Sequence, residues 1–261
     1  MIKKKRVSFI VCLLVMMPSS MLLAEQDKIR GKVLKIDGDV EIVDEKGDKR
    51  AVDKIDEPLH EMDTIVTREG AHVVVQFDDG ALSVLDEKSR LRVEKTSWFS
   101  YLGGKVYFTF NKVFGESRHV KTRAATIGIR GTTFIISENP ERDGESIALK
   151  EGLLQIQSTG PAFEIHRQKT LDEFEQYKLE RQQSQAALQD EFDRYRQQTM
   201  KEFVEYRRDF TLQPNRVISL SGYRVDETAM SADNEKDFVL FETVAEEMIK
   251  NFRDKTEESD R

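Results

Sequence analysis

The chain has 261 residues, 38% of them hydrophobic and 34% charged, with a formal net charge of −7 and one cysteine. An acidic balance argues against nucleic acid as the main partner, because that role calls for a basic surface, and it disfavours general adhesion to anionic lipid headgroups. A single cysteine, Cys12, excludes an internal disulfide framework, so packing must supply the stability.

Lys3, Lys4, Lys5 and Arg6 precede an apolar stretch from Val7 to Met17, and Pro18 to Ala24 follows as a cleavage region. This is the pattern of a secretory signal peptide over residues 1–24, too short for a membrane-spanning helix. Cleavage is expected after Ala24. Leu22 is larger than the residue usual three places before a cut, which keeps an uncleaved anchor as the alternative. Loss of the four basic residues takes the charge from −7 to −11 and leaves a mature chain without cysteine.

Residues 28–158 are punctuated by glycine and rich in β-branched residues. Gly31 precedes Val33, Gly38 precedes Val40 and Ile42, Gly70 precedes Val73, Val75 and Phe77, Gly104 precedes Val106, Phe108 and Phe110, and Gly131 precedes Phe134 and Ile136. Period-two alternation bounded by turn residues predicts half-buried strands. Asp37-Gly38 and Asp79-Gly80 both read as hairpin turns, where positive φ favours Asp followed by Gly. No helical pattern separates these segments, so an antiparallel sandwich or roll is expected.

From Ala162 to Gln213 there is neither glycine nor proline, and Pro161 and Pro214 bracket the stretch. Residues 162–213 therefore read as helix. Within them Asp172-Glu173-Phe174-Glu175-Gln176-Tyr177 recurs as Asp190-Glu191-Phe192-Asp193-Arg194-Tyr195 and as Lys201-Glu202-Phe203-Val204-Glu205-Tyr206. The spacing puts Phe174, Tyr177, Leu188, Phe192, Tyr195, Phe203 and Tyr206 on one helical stripe, a candidate surface for self-association or a partner. A single rod would reach on the order of 75 Å at 1.5 Å per residue; a helical hairpin is the alternative. Residues 216–226 return to strand-like sequence and either rejoin the β domain or stand apart from it. Residues 234–255 predict a C-terminal amphipathic helix through Phe238, Phe241, Met248 and Phe252, with Asp233 as N-cap. The expected class is α+β: a sandwich or roll, then a long charged helix or helical hairpin, then a short helix.

No enzyme constellation emerges, and neither a cofactor nor a metal is expected. His60, His72, His119 and His166 are isolated in sequence, without the spacing of metal ligands. Asp78-Asp79 and Glu151 fit turn chemistry better than acid and base work. Arg130, between Ile129 and Gly131, reads either as an internal ion pair with Glu151 or as a ligand contact. Trp98, Phe99 and Tyr101 form the densest aromatic cluster and read either as core or as a contact for a sugar ring or a protein.

Four glycine-led pieces in fixed order support a family resemblance: Phe77-Asp78-Asp79-Gly80-Ala81, Leu102-Gly103-Gly104-Lys105-Val106, Val120 to Phe134 with Arg130-Gly131-Thr132, and Leu149-Lys150-Glu151-Gly152-Leu153. Together they resemble the FecR domain, a β-rich module of bacterial envelopes, over about residues 30–157. The resemblance implies an exported, periplasmic interaction domain of a Gram-negative-type envelope and no catalytic residues. Prototypical members carry a sigma-factor-binding segment and a membrane helix before this domain, whereas here only the signal sequence precedes it, so a direct sigma-factor regulator is not expected. The expected function is a non-enzymatic module or scaffold binding an envelope protein or glycan, without stable membrane insertion once the signal is cleaved. An accessory of trans-envelope signalling is the alternative, and a cell-wall glycan enzyme a third.

Overall fold

The computed structural model describes residues 28–78, 80–95, 98–110, 118–139, 143–167, 204–246 and 248–250. Strands β1 (Ile29–Asp37), β2 (Val40–Val43), β3 (Lys49–Ala51), β4 (Pro58–His60), β5 (Thr64–Thr67) and β6 (His72–Phe77) come first. β7 (Leu82–Leu85), β8 (Arg90–Val93), β9 (Trp98–Gly103), β10 (Lys105–Thr109), β11 (Arg118–Lys121), β12 (Ala125–Asn139) and β13 (Gly144–Ser158) follow. β14 (Phe163–Arg167), β15 (Val204–Arg207), β16 (Asp209–Leu212), β17 (Arg216–Ser221), β18 (Arg224–Ala229) and helix α1 (Ala232–Val244) complete the described elements.

The pairings resolve into two layers that share β12 and β13. One runs β4-β1-β6-β7-β10-β12-β13-β17-β18-β14-β15. The other runs β3-β2-β5-β8-β9-β11-β12-β13-β16. β12 and β13 are long enough to serve both: the first half of β12 lies beside β11 and its second half beside β10, while β13 meets β17 early and β16 late. The hairpin changes layer where its register breaks, between Arg130 and Phe134, as strands do when they turn a sandwich corner through a bulge. Gly131 and Gly152 occupy this corner with φ of +57° and +86°.

A second closure lies beyond the hairpin. β13 pairs with β17, β17 with β18, β18 with β14 and β14 with β15. β15 continues through Arg208 into β16, which returns to β13. These strands form a small ring built onto the sandwich, filled by Phe163, Ile165, Phe210, Leu212, Ile218 and Val225.

Alternation supplies the main core. Inward positions such as Val73, Val75, Phe108, Phe134, Ile127 and Ile156 are buried together between the layers, with Phe77 and Phe99 ring centroids 4.4 Å apart and Phe108 and Phe134 stacked at 5.0 Å. The outer face of the first layer is also apolar, through Val74, Val84, Tyr107, Ile135 and Val217, and α1 covers it with Phe238 and Phe241. Burying each of these phenylalanines contributes roughly 1.5–3 kcal/mol. Phe241 stacks on Tyr107 at 5.8 Å. Lys105 pairs with Asp237 at 2.9 Å, Lys150 with Glu242 at 2.7 Å, and the Lys35 ammonium donates to the Val244 carbonyl at the helix end.

Several sequence expectations are corrected. The α+β class with a long helix over 162–213 fails, because both ends of that stretch are strands: β14 at one end, β15 and β16 at the other. Phe163 and Ile165, and Phe210 and Leu212, alternate with period two and point into the ring, and that tertiary burial overrides a stretch with no helix breaker. β14 and β15 pair with each other, His166 opposite Val204, and residues 168–203 between them lie outside the described residues. Asp37-Gly38 is not a hairpin: β1 and β2 pair with different strands, and the turn carries the chain from one layer to the other. The hairpin at Gly80 is present as β6–β7. Residues 216–226 join the β domain as β17 and β18. The cap of α1 is Ser231, in a reciprocal capping box with Asn234, rather than Asp233.

Candidate partner-binding face

The second layer has an outer face that no described helix covers. Inward burial of Phe99, Tyr101, Val120, Ile127, Leu154 and Ile156 leaves the alternate positions on this outer side. Across it the register sets Trp98 opposite His119, His119 opposite Gly128, Gly128 opposite Gln155, and Gln155 opposite Thr211. A parallel row runs Ser100, Lys121, Thr126, Gln157 and Asp209. Lys121, Arg130, Leu153, Gln155 and Gln157 are exposed. At Gly128 a Cβ would lie 3.4 Å from the Gln155 Cβ and 3.8 Å from the His119 ring, so the missing side chain leaves a shallow floor between them. The arrangement offers hydrogen-bond donors, cations and one exposed leucine along a sheet face, which suits an extended partner.

Candidate residues from the sequence divide accordingly. Arg130 is exposed on this face, opposite Leu153, and no ion pair joins it to Glu151 among the described residues. The internal-pair reading therefore gives way to an accessible cation. The Trp98 backbone pairs in register with His119. Phe99 and Tyr101 are each 4% exposed and belong to the core, so neither is a surface contact. The Tyr101 hydroxyl donates to the Gly104 carbonyl at 2.7 Å. Burial, helped by the nearby Glu138 and Glu145 carboxylates and opposed by Arg123 and Arg90, pushes the Tyr101 phenol well above its ordinary range.

Phe174, Tyr177, Leu188, Phe192, Tyr195 and Phe203 lie outside the described residues. Tyr206 is on β15 with 70% of its surface exposed. Asp78 pairs with Arg30 at 2.9 Å. His60, His72 and His166 each sit beside one carboxylate, Asp63, Asp86 and Glu164 respectively. His119, Lys121, Gly128 and Gln155 were not singled out by sequence motifs; as immediate neighbours of the inward Val120, Ile127 and Ile156, they fall by alternation on the opposite face.

The motif residues themselves shape the backbone. The Thr122 hydroxyl accepts from the Ala125 amide in the turn between β11 and β12. Gly104 lies against Ser89, where a Cβ would come within 2.3 Å of the Ser89 Cα. Glu145, also at this end of the sandwich, is 3% exposed and accepts from the Arg123 amide at 3.2 Å.

The family model described as FecR protein matches residues 63–155, from the residue before β5 into β13, which bears out the resemblance over that span. No curated protein matches the chain. Two solved structures of a candidate anti-sigma factor from Parabacteroides distasonis are similar. One has 14% identity and a TM-score of 0.44 and covers 67% of this chain and 64% of its own. The second has 15% identity and a TM-score of 0.43, covering 67% and 63%. The chain thus spans less than two thirds of their length. A structure described as a cell surface anchoring domain has 25% identity and a TM-score of 0.25, covering 26% of this chain and 87% of its own. Among the described residues, no helix is long and apolar enough to cross a membrane.

Proposed function

We propose that the protein is a non-enzymatic, signalling-related binding module of the bacterial envelope, acting in the periplasm through the outer face of the second layer. The observation that carries this reading is the use made of the family motif. Thr122, Gly104, Gly131 and Gly152 are committed to turns and corners, so the matched pattern specifies a scaffold, and recognition falls to exposed side chains such as Arg130, Lys121 and Gln155.

Photo-crosslinking in cells tests the proposal, with probes at Arg130 and Gln155 and a control probe at Lys236 on α1. A discrete protein adduct from the first two positions and not from the control supports it. No adduct, or the same adducts from all three, counts against this face. Retention of the protein on cell-wall material, lost in Trp98→Ala, would make the partner a glycan rather than a protein.

A further inference from the structure

Among the described residues β15 pairs with β14 alone, and no described strand pairs with its other edge. The strand is Val204-Glu205-Tyr206-Arg207. Glu205 and Arg207 share one face, 3.8 Å apart and 41% and 56% exposed as side chains, Glu205 also lies 3.7 Å from Arg167 on the neighbouring strand, and Tyr206 stands on the other face at 70% exposure. This sequence is self-complementary. In an antiparallel pairing centred on Tyr206, Glu205 lies opposite Arg207 of a second copy, Arg207 opposite the second Glu205, and the two tyrosines face each other. Centring on Glu205 or on Arg207 instead brings like charges face to face.

We propose that this edge of β15, unpaired among the described residues, docks a second copy of this chain by antiparallel strand pairing about a twofold axis through Tyr206. Charges on an edge strand exclude an incoming strand that leaves them unmatched. The chain's own strand matches both, so the same two residues that repel other sequences select for self. The interface is separate from the partner-binding face, which lies on the second layer, whereas β15 belongs to the first.

Solution mass of the purified protein across a concentration series, by sedimentation, is the test. The parent is expected to dimerise. Glu205→Arg sets arginine opposite arginine twice and Arg207→Glu sets glutamate opposite glutamate twice, so each weakens the dimer by about tenfold or more. Mixing the two single variants restores matched charges and is expected to recover a dimer, as is the double variant alone; unchanged far-ultraviolet spectra confirm that the variants are folded. A parent that is monomeric throughout, single variants that dimerise like the parent, or a mixture and double variant that both stay monomeric would each overturn the proposal.

Discussion

Gly152 sits directly against the carbonyl of Gly131: a Cβ on Gly152 would come within 2.2 Å of that oxygen and 2.5 Å of the Thr132 methyl. The Arg-Gly-Thr block on one strand and the Glu-Gly block on the next are therefore two sides of one corner, where the β12–β13 hairpin leaves the first layer for the second.

Gly152→Ala is expected to destabilise the protein by at least about 2 kcal/mol, because it adds a backbone clash to a φ of +86°. Urea unfolding measures the change. Gly47→Ala is the control: its φ is +89° but a Cβ there meets nothing within 4 Å, so its cost is confined to backbone strain of about 1 kcal/mol. Equal losses at both sites would remove the argument for a steric corner.

The seating of α1 is expected to depend on its rings more than on its charges. Phe241→Ala empties a site stacked on Tyr107 and is expected to cost about 3 kcal/mol. Lys105→Ala breaks a pair in which both side chains are 33% exposed, and about 1 kcal/mol or less is expected. Denaturant midpoints for the two variants check the order, and the reverse order would show that the lysines hold the helix.

Glu227 links Arg167 and Arg216, each at 3.0 Å, with its own side chain 9% exposed. Glu227→Gln leaves two guanidinium groups around a neutral amide, and a loss of about 2 kcal/mol is expected, below the full cost of a buried pair because Arg167 still reaches water. The ring strands should carry this loss, so hydrogen exchange at Ile165 and Val225 is expected to accelerate before exchange at Val75 does.

Alkali provides a test of the buried phenol. The folded-state pKa of Tyr101 is raised, so above about pH 10 the unfolded chain releases this proton while the folded chain retains it. The stability associated with Tyr101 is therefore fully present below about pH 10 and is lost as pH rises, at about 1.4 kcal/mol per pH unit for this one proton. Tyr101→Phe is expected to flatten the stability profile above pH 10, and an unchanged slope would refute the assignment.

Many of the strands were legible because half-buried strands write their faces into the chain in twos, although they join in one curled sheet. Val73, Val75 and Phe77, and Phe108 and Phe110, were all read as inward from their alternation alone. Pairing was less legible: Asp37-Gly38 has the composition of a hairpin turn, yet β1 finds β6 and β2 finds β5 because the turn lies at a corner between layers. The misread helix has a similar origin. A stretch without glycine or proline permits a helix but does not require one, and Phe163 with Ile165 signalled a strand over five residues, too short to stand out against the polar sequence that follows. On the candidate face, Trp98 and Arg130 were visible as chemical types, but Phe99 and Tyr101 differ from Trp98 only in phase. Burial of Phe99 and Tyr101 follows from which neighbours they meet across the layers.

β13 lends one edge to the sandwich and the other to the ring, and the family-matched span ends within it at Gln155. Synthesis therefore completes the sandwich strands before anything exists to pair the far side of β13 or to shield the apolar patch around Tyr107. A growing chain that has reached Ser158 carries both an open strand edge and an uncovered greasy surface, and it must wait for Asp209 to Leu220 to arrive for the first and for Phe238 and Phe241 for the second. The last fifth of the polypeptide is thus the cap that makes the earlier part safe from its neighbours, and premature termination anywhere before α1 yields a chain prone to aggregate rather than a smaller working domain.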